Sequence, residues 1–178
     1  LVVQKYGGSS VADPERIRRV AGRVAAVRGE GHDIAVVVSA MGDTTDDLIS
    51  LVKEITDSPS DREMDMLLST GEQVSIALLA MAIRERGLPV ISLTGPQAGI
   101  ATDGVHTKAR ILNIDTSRLR KEFSQGNIVV VAGFQGIDQE SSDITTLGRG
   151  GFTSAPSARS RASQACKSSS ATAKATWR

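Results

Sequence analysis

Residues 34–39 read Ile-Ala-Val-Val-Val-Ser, and residues 127–132 read Asn-Ile-Val-Val-Val-Ala. Each is a nearly unbroken apolar run of strand length. A strand with one wet face alternates apolar and polar residues, whereas runs like these belong to strands covered on both faces. Leu1–Lys5 reads as another short buried strand, ending at Gly7-Gly8-Ser9-Ser10, and Pro89–Leu93 as a further one. Helical patterns lie between them. Asp13-Pro14 suits a helix start, with Asp13 at the N-cap and Pro in the first turn. Ile17, Val20, Ala21, Val24 and Val27 then fall on one helical face, until Gly29 and Gly31 end it. A helix is predicted over about 45–56. Residues 63–86 predict a short helix, an interruption at Thr70-Gly71 and a longer helix. Lys108–Ile114 reads as a strand, Thr116–Gln125 as a helix closed by Gly126, and Ile144–Leu147 as a short strand. Strands alternating with helices, with solidly apolar central strands, predict an α/β fold: a mostly parallel sheet with helices on both faces.

Composition narrows the classes. The chain has 178 residues, 40% of them hydrophobic and only 3% aromatic, so its core is aliphatic. A single cysteine, Cys166, excludes an internal disulfide or a multi-thiolate metal site. His32 and His106 lack paired spacing, so no metal ligands are assigned, and both read as surface or loop residues without chemistry. Met64 and Met66 read as core packing. No apolar run approaches the roughly 20 residues of a membrane helix, and Leu1-Val2-Val3 shows no secretory pattern. The expectation is a cytoplasmic protein with no membrane partner. The net charge of +1 is a cancellation: residues 152–178 hold five basic residues and no acid, leaving 16 basic against 20 acidic residues in 1–151. Ser and Ala make up 14 of those last 27 residues, and Leu, Ile, Val and Met are absent. Such a stretch cannot bury enough apolar surface to offset its ordering entropy, so 152–178 reads as a disordered or weakly structured basic tail.

In open α/β sheets, ligands sit beyond the carboxyl ends of the strands. Here those ends carry KYGGSS, SAMGDTT, LTGPQAG, AGFQG and TLGRGG. Their convergence predicts a site that grips an anion with backbone N–H groups. Lys5 stands beside two glycines that allow close backbone approach to phosphate, although an ordinary tight turn reads equally well. There is no Walker A loop and no GxGxxG fingerprint. Arg149, flanked by glycines, could clamp a carboxylate or phosphate bidentately, or lie in a surface turn. Glu72 reads from its own window as a helix N-terminal cap, with capture of an ammonium as the alternative.

The stretches LVVQKYGGSSVAD, VVVSAMGDTTDDL, EMDMLLSTGEQ, LTGPQAG, VVAGFQG and DITTLGRGG occur in the order found in aspartate kinases. Residues 1–151 resemble the actinobacterial branch of that family, within the amino acid kinase superfamily. The resemblance implies an αβα sandwich with a mostly parallel central sheet, here C-terminally incomplete. It implies transfer of the γ-phosphoryl of ATP to the side-chain carboxylate of L-aspartate, giving 4-phospho-L-aspartate for lysine, threonine, methionine and isoleucine synthesis. ATP with Mg²⁺ is then the co-substrate, with no prosthetic group. By the same resemblance, Lys5 stabilises the transferring phosphoryl, and Gly7, Gly8 and Ser9 line the phosphates. Ser39 and Thr45 are substrate-side hydroxyls, Glu72 pairs with the substrate ammonium, Phe134 lines the pocket and Arg149 clamps a substrate carboxylate. The full-length family member would be a homo- or hetero-oligomer. Two other readings rank lower: a glutamate or N-acetylglutamate type of amino acid kinase, and a non-catalytic module whose basic tail contacts nucleic acid.

The family pattern continues from TLGRGG into Ser-Asp and a hydrophobic helix, but Phe152-Thr153 and a Ser/Ala/Arg-rich stretch follow here. The domain reading is therefore a partial catalytic domain over 1–151 and a tail over 152–178. The tail looks like an out-of-frame end, and a chain so cut is expected to have weak kinase activity or none. Resequencing the gene through codon 151 checks this. A single-base change that restores Ser-Asp and an aliphatic helix is the expected result, and its absence rejects the frameshift.

Overall fold

The computed structural model describes residues 1–148 and the backbone of a short strand at 175–176. The expectations for Arg149 and for the rest of the 152–178 tail lie outside the described residues. In chain order the elements are β1 (Val2–Tyr6), α1 (Pro14–Gly29), β2 (Ile34–Val38), α2 (Thr44–Ile55), α3 (Asp61–Arg84), β3 (Val90–Leu93), β4 (Ile100–Thr102), β5 (Ile111–Ile114), α4 (Ser117–Ser124), β6 (Ile128–Ala132), β7 (Gln135–Asp138), β8 (Ile144–Thr146) and β9 (Ala175–Thr176).

The expected parallel sheet is present, in the order β3-β6-β2-β1-β9. β3, β6, β2 and β1 run parallel. The two-residue β9 pairs antiparallel to Val2–Val3. All five residues of β6 are buried, as its sequence predicts. In β2 the pattern alternates, with Ala35 and Val37 half-buried. The cause is unequal cover. On one face, α1 and α3 bury Val36, Val38, Ile128 and Val130. On the other, Leu119 and Phe123 of α4 pack over Val129 and Val131, leaving β2 and β1 less covered. The α1 start matches its reading: the Asp13 side chain accepts from Arg16 N at 2.7 Å. Ile17, Val20, Ala21, Val24 and Val27 form the buried face.

A second sheet, ordered β5-β4-β7-β8, was not foreseen. β4 and β7 are three and four residues long, too short for a periodicity to register. The expected strand over 108–114 begins only at Ile111. Because β8 belongs to this second sheet, TLGRGG does not leave the same sheet edge as the other four loops.

α3 corrects the reading of a helix broken at Thr70-Gly71, because it is continuous over 24 residues. Glycine costs a helix about 1 kcal/mol relative to alanine, but here it permits contact. A Cβ on Gly71 would lie 3.0 Å from the Ala40 Cβ. By length and composition α3 could also span a bilayer, contrary to the sequence expectation. Its buried Asp65, Ser69, Glu72 and Ser75 and its packing on both sheets mark it as a core helix. Met64 is half-buried and Met66 is 40% exposed, so neither is the core residue expected.

Leu79 of α3 is fully buried, whereas Leu112 of β5 is 68% exposed. Leu79→Ala is expected to lower unfolding stability by about 3 kcal/mol. Leu112→Ala should change it by less than about 0.5 kcal/mol. Urea denaturation of both variants checks the contrast.

Candidate active site

The carboxyl ends of β1, β2 and β6 are bound to one another through backbone groups. Ser39 N donates to Tyr6 O at 3.2 Å, Gly42 N to Gly8 O at 3.2 Å, and Gly133 N to Val38 O at 2.9 Å. Gly8 is where glycine is needed, since a Cβ there would lie 2.8 Å from the Ala40 carbonyl oxygen. KYGGSS, SAMGDTT and AGFQG therefore form one surface, as the sequence predicts. Ser39 is half-buried on it, as is Thr45 in the first turn of α2, while Gly7 and Ser9 are exposed and Gly8 is half-buried. Phe134 is half-buried and adopts a left-handed backbone, φ 63°, a conformation that costs a bulky residue energy and clusters at functional sites. Its carbonyl accepts from Leu147 N at 2.9 Å, which joins this edge to the second sheet.

Lys5 is exposed one residue before the end of β1. Successive strand side chains alternate faces. Tyr6 is buried with Ile17 and Val20 of α1, so Lys5 projects to the opposite face of the sheet. Arg149 lies outside the described residues.

Glu72 is not a cap. It sits in the middle of α3 and is only 4% exposed. Its Oε1 accepts from Ala40 N at 3.3 Å, and its Oε2 is buried without a partner among the described residues. Burial pushes its carboxyl up to about 7, partly opposed by hydrogen bonds from its own backbone N–H and that of Ala40. A buried carboxylate with one bare oxygen suits a cationic donor: an ammonium would supply both the charge and the missing hydrogen bond.

Other polar residues meet α3 along the helix face that carries Glu72. Gln135 Nε2 donates to the Ser69 carbonyl at 3.0 Å. Asp65, fully buried, accepts from Thr107 N at 3.1 and 3.0 Å and from the Thr146 hydroxyl. His106, expected to be a surface or loop residue without chemistry, lies in the β4–β5 connection, but it is mostly covered and places Nδ1 2.9 Å from Asp65 Oδ2. Arg62 pairs with Asp143 at 3.0 Å. Arg62, Asp65, Ser69 and Glu72 stand at i, i+3, i+7 and i+10, one helical face. That spacing was visible in the sequence, but the interruption read at Thr70-Gly71 hid it.

The family description "Amino acid kinase family" matches residues 1–172. The aspartokinase of Mycolicibacterium smegmatis is 58% identical over 151 residues, 85% of this chain and 36% of that protein. The chain thus spans about a third of the curated relatives it matches. The crystal structure of aspartate kinase from Synechocystis aligns with TM-score 0.70 at 49% identity, covering 84% of this chain and 24% of that one. E. coli aspartokinase III, in complex with aspartate and ADP, shares the fold with TM-score 0.66 at 21% identity, covering 84% of this chain and 44% of that one. With the parallel sheet, the glycine-lined edge and the buried acid in place, this chain belongs to the amino acid kinase family.

Proposed function

We propose that residues 1–151 carry the aspartate-binding part of an aspartate kinase, and that 152–178 is a separate tail. The observation that carries this reading is Glu72, a buried carboxylate with one oxygen bonded to Ala40 N and the other bare. It lies beside loops within the 151 residues that are 58% identical to the Mycolicibacterium smegmatis aspartokinase. In the reaction, a side-chain carboxylate oxygen of L-aspartate attacks the γ-phosphorus of ATP. The bond from that phosphorus to the ADP oxygen breaks, and 4-phospho-L-aspartate and ADP leave. No strong base is needed, because the attacking carboxylate is already ionised at neutral pH.

The protein's contribution is then positioning and charge neutralisation. Glu72 holds the substrate ammonium, Ser39 and Thr45 offer hydroxyls, and Phe134 walls the pocket. Lys5 offsets charge on the transferring phosphoryl, and the backbone of Gly7, Gly8 and Ser9 faces the phosphates. Arg149 takes a substrate carboxylate. By the family resemblance, Mg²⁺ is read as part of the nucleotide substrate. A cytoplasmic location and oligomerisation of the intact protein follow from the same reading.

Titrating L-aspartate and Mg-ATP separately against the chain tests the proposal. Aspartate binding is expected, and a folded chain that binds none rejects it. Ammonium capture needs ionised Glu72, whose carboxyl titrates near 7. Only about a tenth of the free protein is therefore competent at pH 6 and most of it at pH 8. The dissociation constant for aspartate should fall about tenfold between those pH values, and Glu72→Gln should remove both the affinity and the trend.

Stability should report the same group. Between pH 4.5 and 7 the folded chain keeps a proton on Glu72 that the unfolded chain has released. Stability therefore falls as pH rises through that window and stays low above it. Glu72→Gln is expected to stabilise the chain by about 2 kcal/mol at pH 8 and by almost nothing near pH 4.5. Thermal melts of both proteins at the two pH values check this.

A further inference from the structure

Asp65 is a fully buried carboxylate that the phosphoryl-transfer chemistry does not use. Both of its oxygens accept from Thr107 N, one also accepts from the Thr146 hydroxyl, and the other faces His106 Nδ1 at 2.9 Å. An ionised carboxylate offers about four acceptor positions. Here they are taken by groups from the β4–β5 connection and from β8. Among the described residues, nothing from the parallel sheet is hydrogen-bonded to it. Buried charge of this kind is a poor source of net stability, because well-packed apolar residues often do as well or better. Its effect is directional: each donor must stay in one place, since losing a partner strands a buried charge.

The held groups are specific. Thr146 is the last residue of β8, so its bond fixes where the chain leaves that strand toward Gly148. Thr107 has a left-handed backbone, φ 62°, and its amide is fixed by the same carboxylate. On α3, Asp65 stands seven residues before Glu72, two turns or about 10 Å along a rigid helix. On the same helix face Arg62 holds Asp143, just ahead of β8, and the Ser69 carbonyl holds Gln135 of β7. The second sheet is therefore attached to α3 by polar contacts at fixed steps from Glu72.

We propose that Asp65 is a positioning residue: through Thr107 and Thr146 it sets where β8, and the chain leaving it, stand relative to Glu72. It touches no substrate. Its effect on ligand binding rests on the aspartate reading above, while its effect on the second sheet does not.

Three variants of the full chain test this: Asp65→Asn, Thr146→Val and Thr146→Ser. Each is measured where circular dichroism shows it folded. Aspartate affinity at pH 8 is expected to fall roughly tenfold in Asp65→Asn and Thr146→Val, within the hundredfold that an ångström of misplacement can cost. Thr146→Ser keeps the hydroxyl and should stay within about twofold of the parent. Amide hydrogen exchange should show Thr107 and β8 losing protection in the first two variants, while β6 keeps its own. Parent affinity in folded Thr146→Val, or failure of Thr146→Ser to restore it, overturns the proposal. So does unchanged protection at Thr107 and β8. If the parent chain binds no aspartate, the functional reading fails and the exchange measurement alone decides on Asp65. If Asp65→Asn does not fold, the Thr146 pair decides.

Discussion

One face of α3 carries a row of polar contacts that reaches both sheets. Arg62, Asp65, Ser69 and Glu72 follow one another at helical spacing. They reach, in order, Asp143 ahead of β8, the Asp65 cluster on β8 and the β4–β5 connection, Gln135 of β7, and Ala40 after β2. A helix interior has little use for such groups, because each must find a partner or lose solvation. Three of them do find partners within the protein. Glu72 stops short, with one oxygen bonded and one bare. The unfilled valence lies where the row meets the glycine-lined edge of the parallel sheet, the place a ligand of that sheet would occupy.

Close backbone approach makes this arrangement feasible. Gly8 lets the first loop lie against the Ala40 carbonyl, and Gly71 lets α3 press against Ala40 from the other side. Ala40 is thus confined between two glycines, and its N–H is directed at Glu72. A larger residue at either position would separate loop from helix and move the amide away from the carboxylate. Burial then sets the electrostatics: with water excluded, the carboxyl is pushed up to about 7.

Lys5 and Glu72 approach the same edge from opposite faces of the sheet. On the proposed reading, that separation would let phosphate charge and substrate ammonium be neutralised without neutralising each other. Catalysis of this type asks for placement more than for acid–base strength, and placement is what the hydrogen bonds between the loops supply.

The parallel strands and α1 were legible in residues alone. Val-rich runs such as 128–131 read as covered strands, and the Asp13 cap with its five apolar positions reads as an amphipathic helix. The glycine-rich strand ends and the order of the motifs marked the family for the same reason: local backbone demands leave local signatures. The second sheet was not legible, because strands of three or four residues are made by their neighbours rather than by a period of their own. Nor were the true setting of Glu72, the continuity of α3 or the burial of His106. Each depends on what another part of the chain brings within about 3 Å, and spacing along the sequence carries no such distance. Local residue patterns settled the parallel strands, α1 and the glycine-rich loops at the carboxyl edge of that sheet. Only the tertiary structure decided which polar groups are dry, because desolvation belongs to the packed assembly and not to any segment within it.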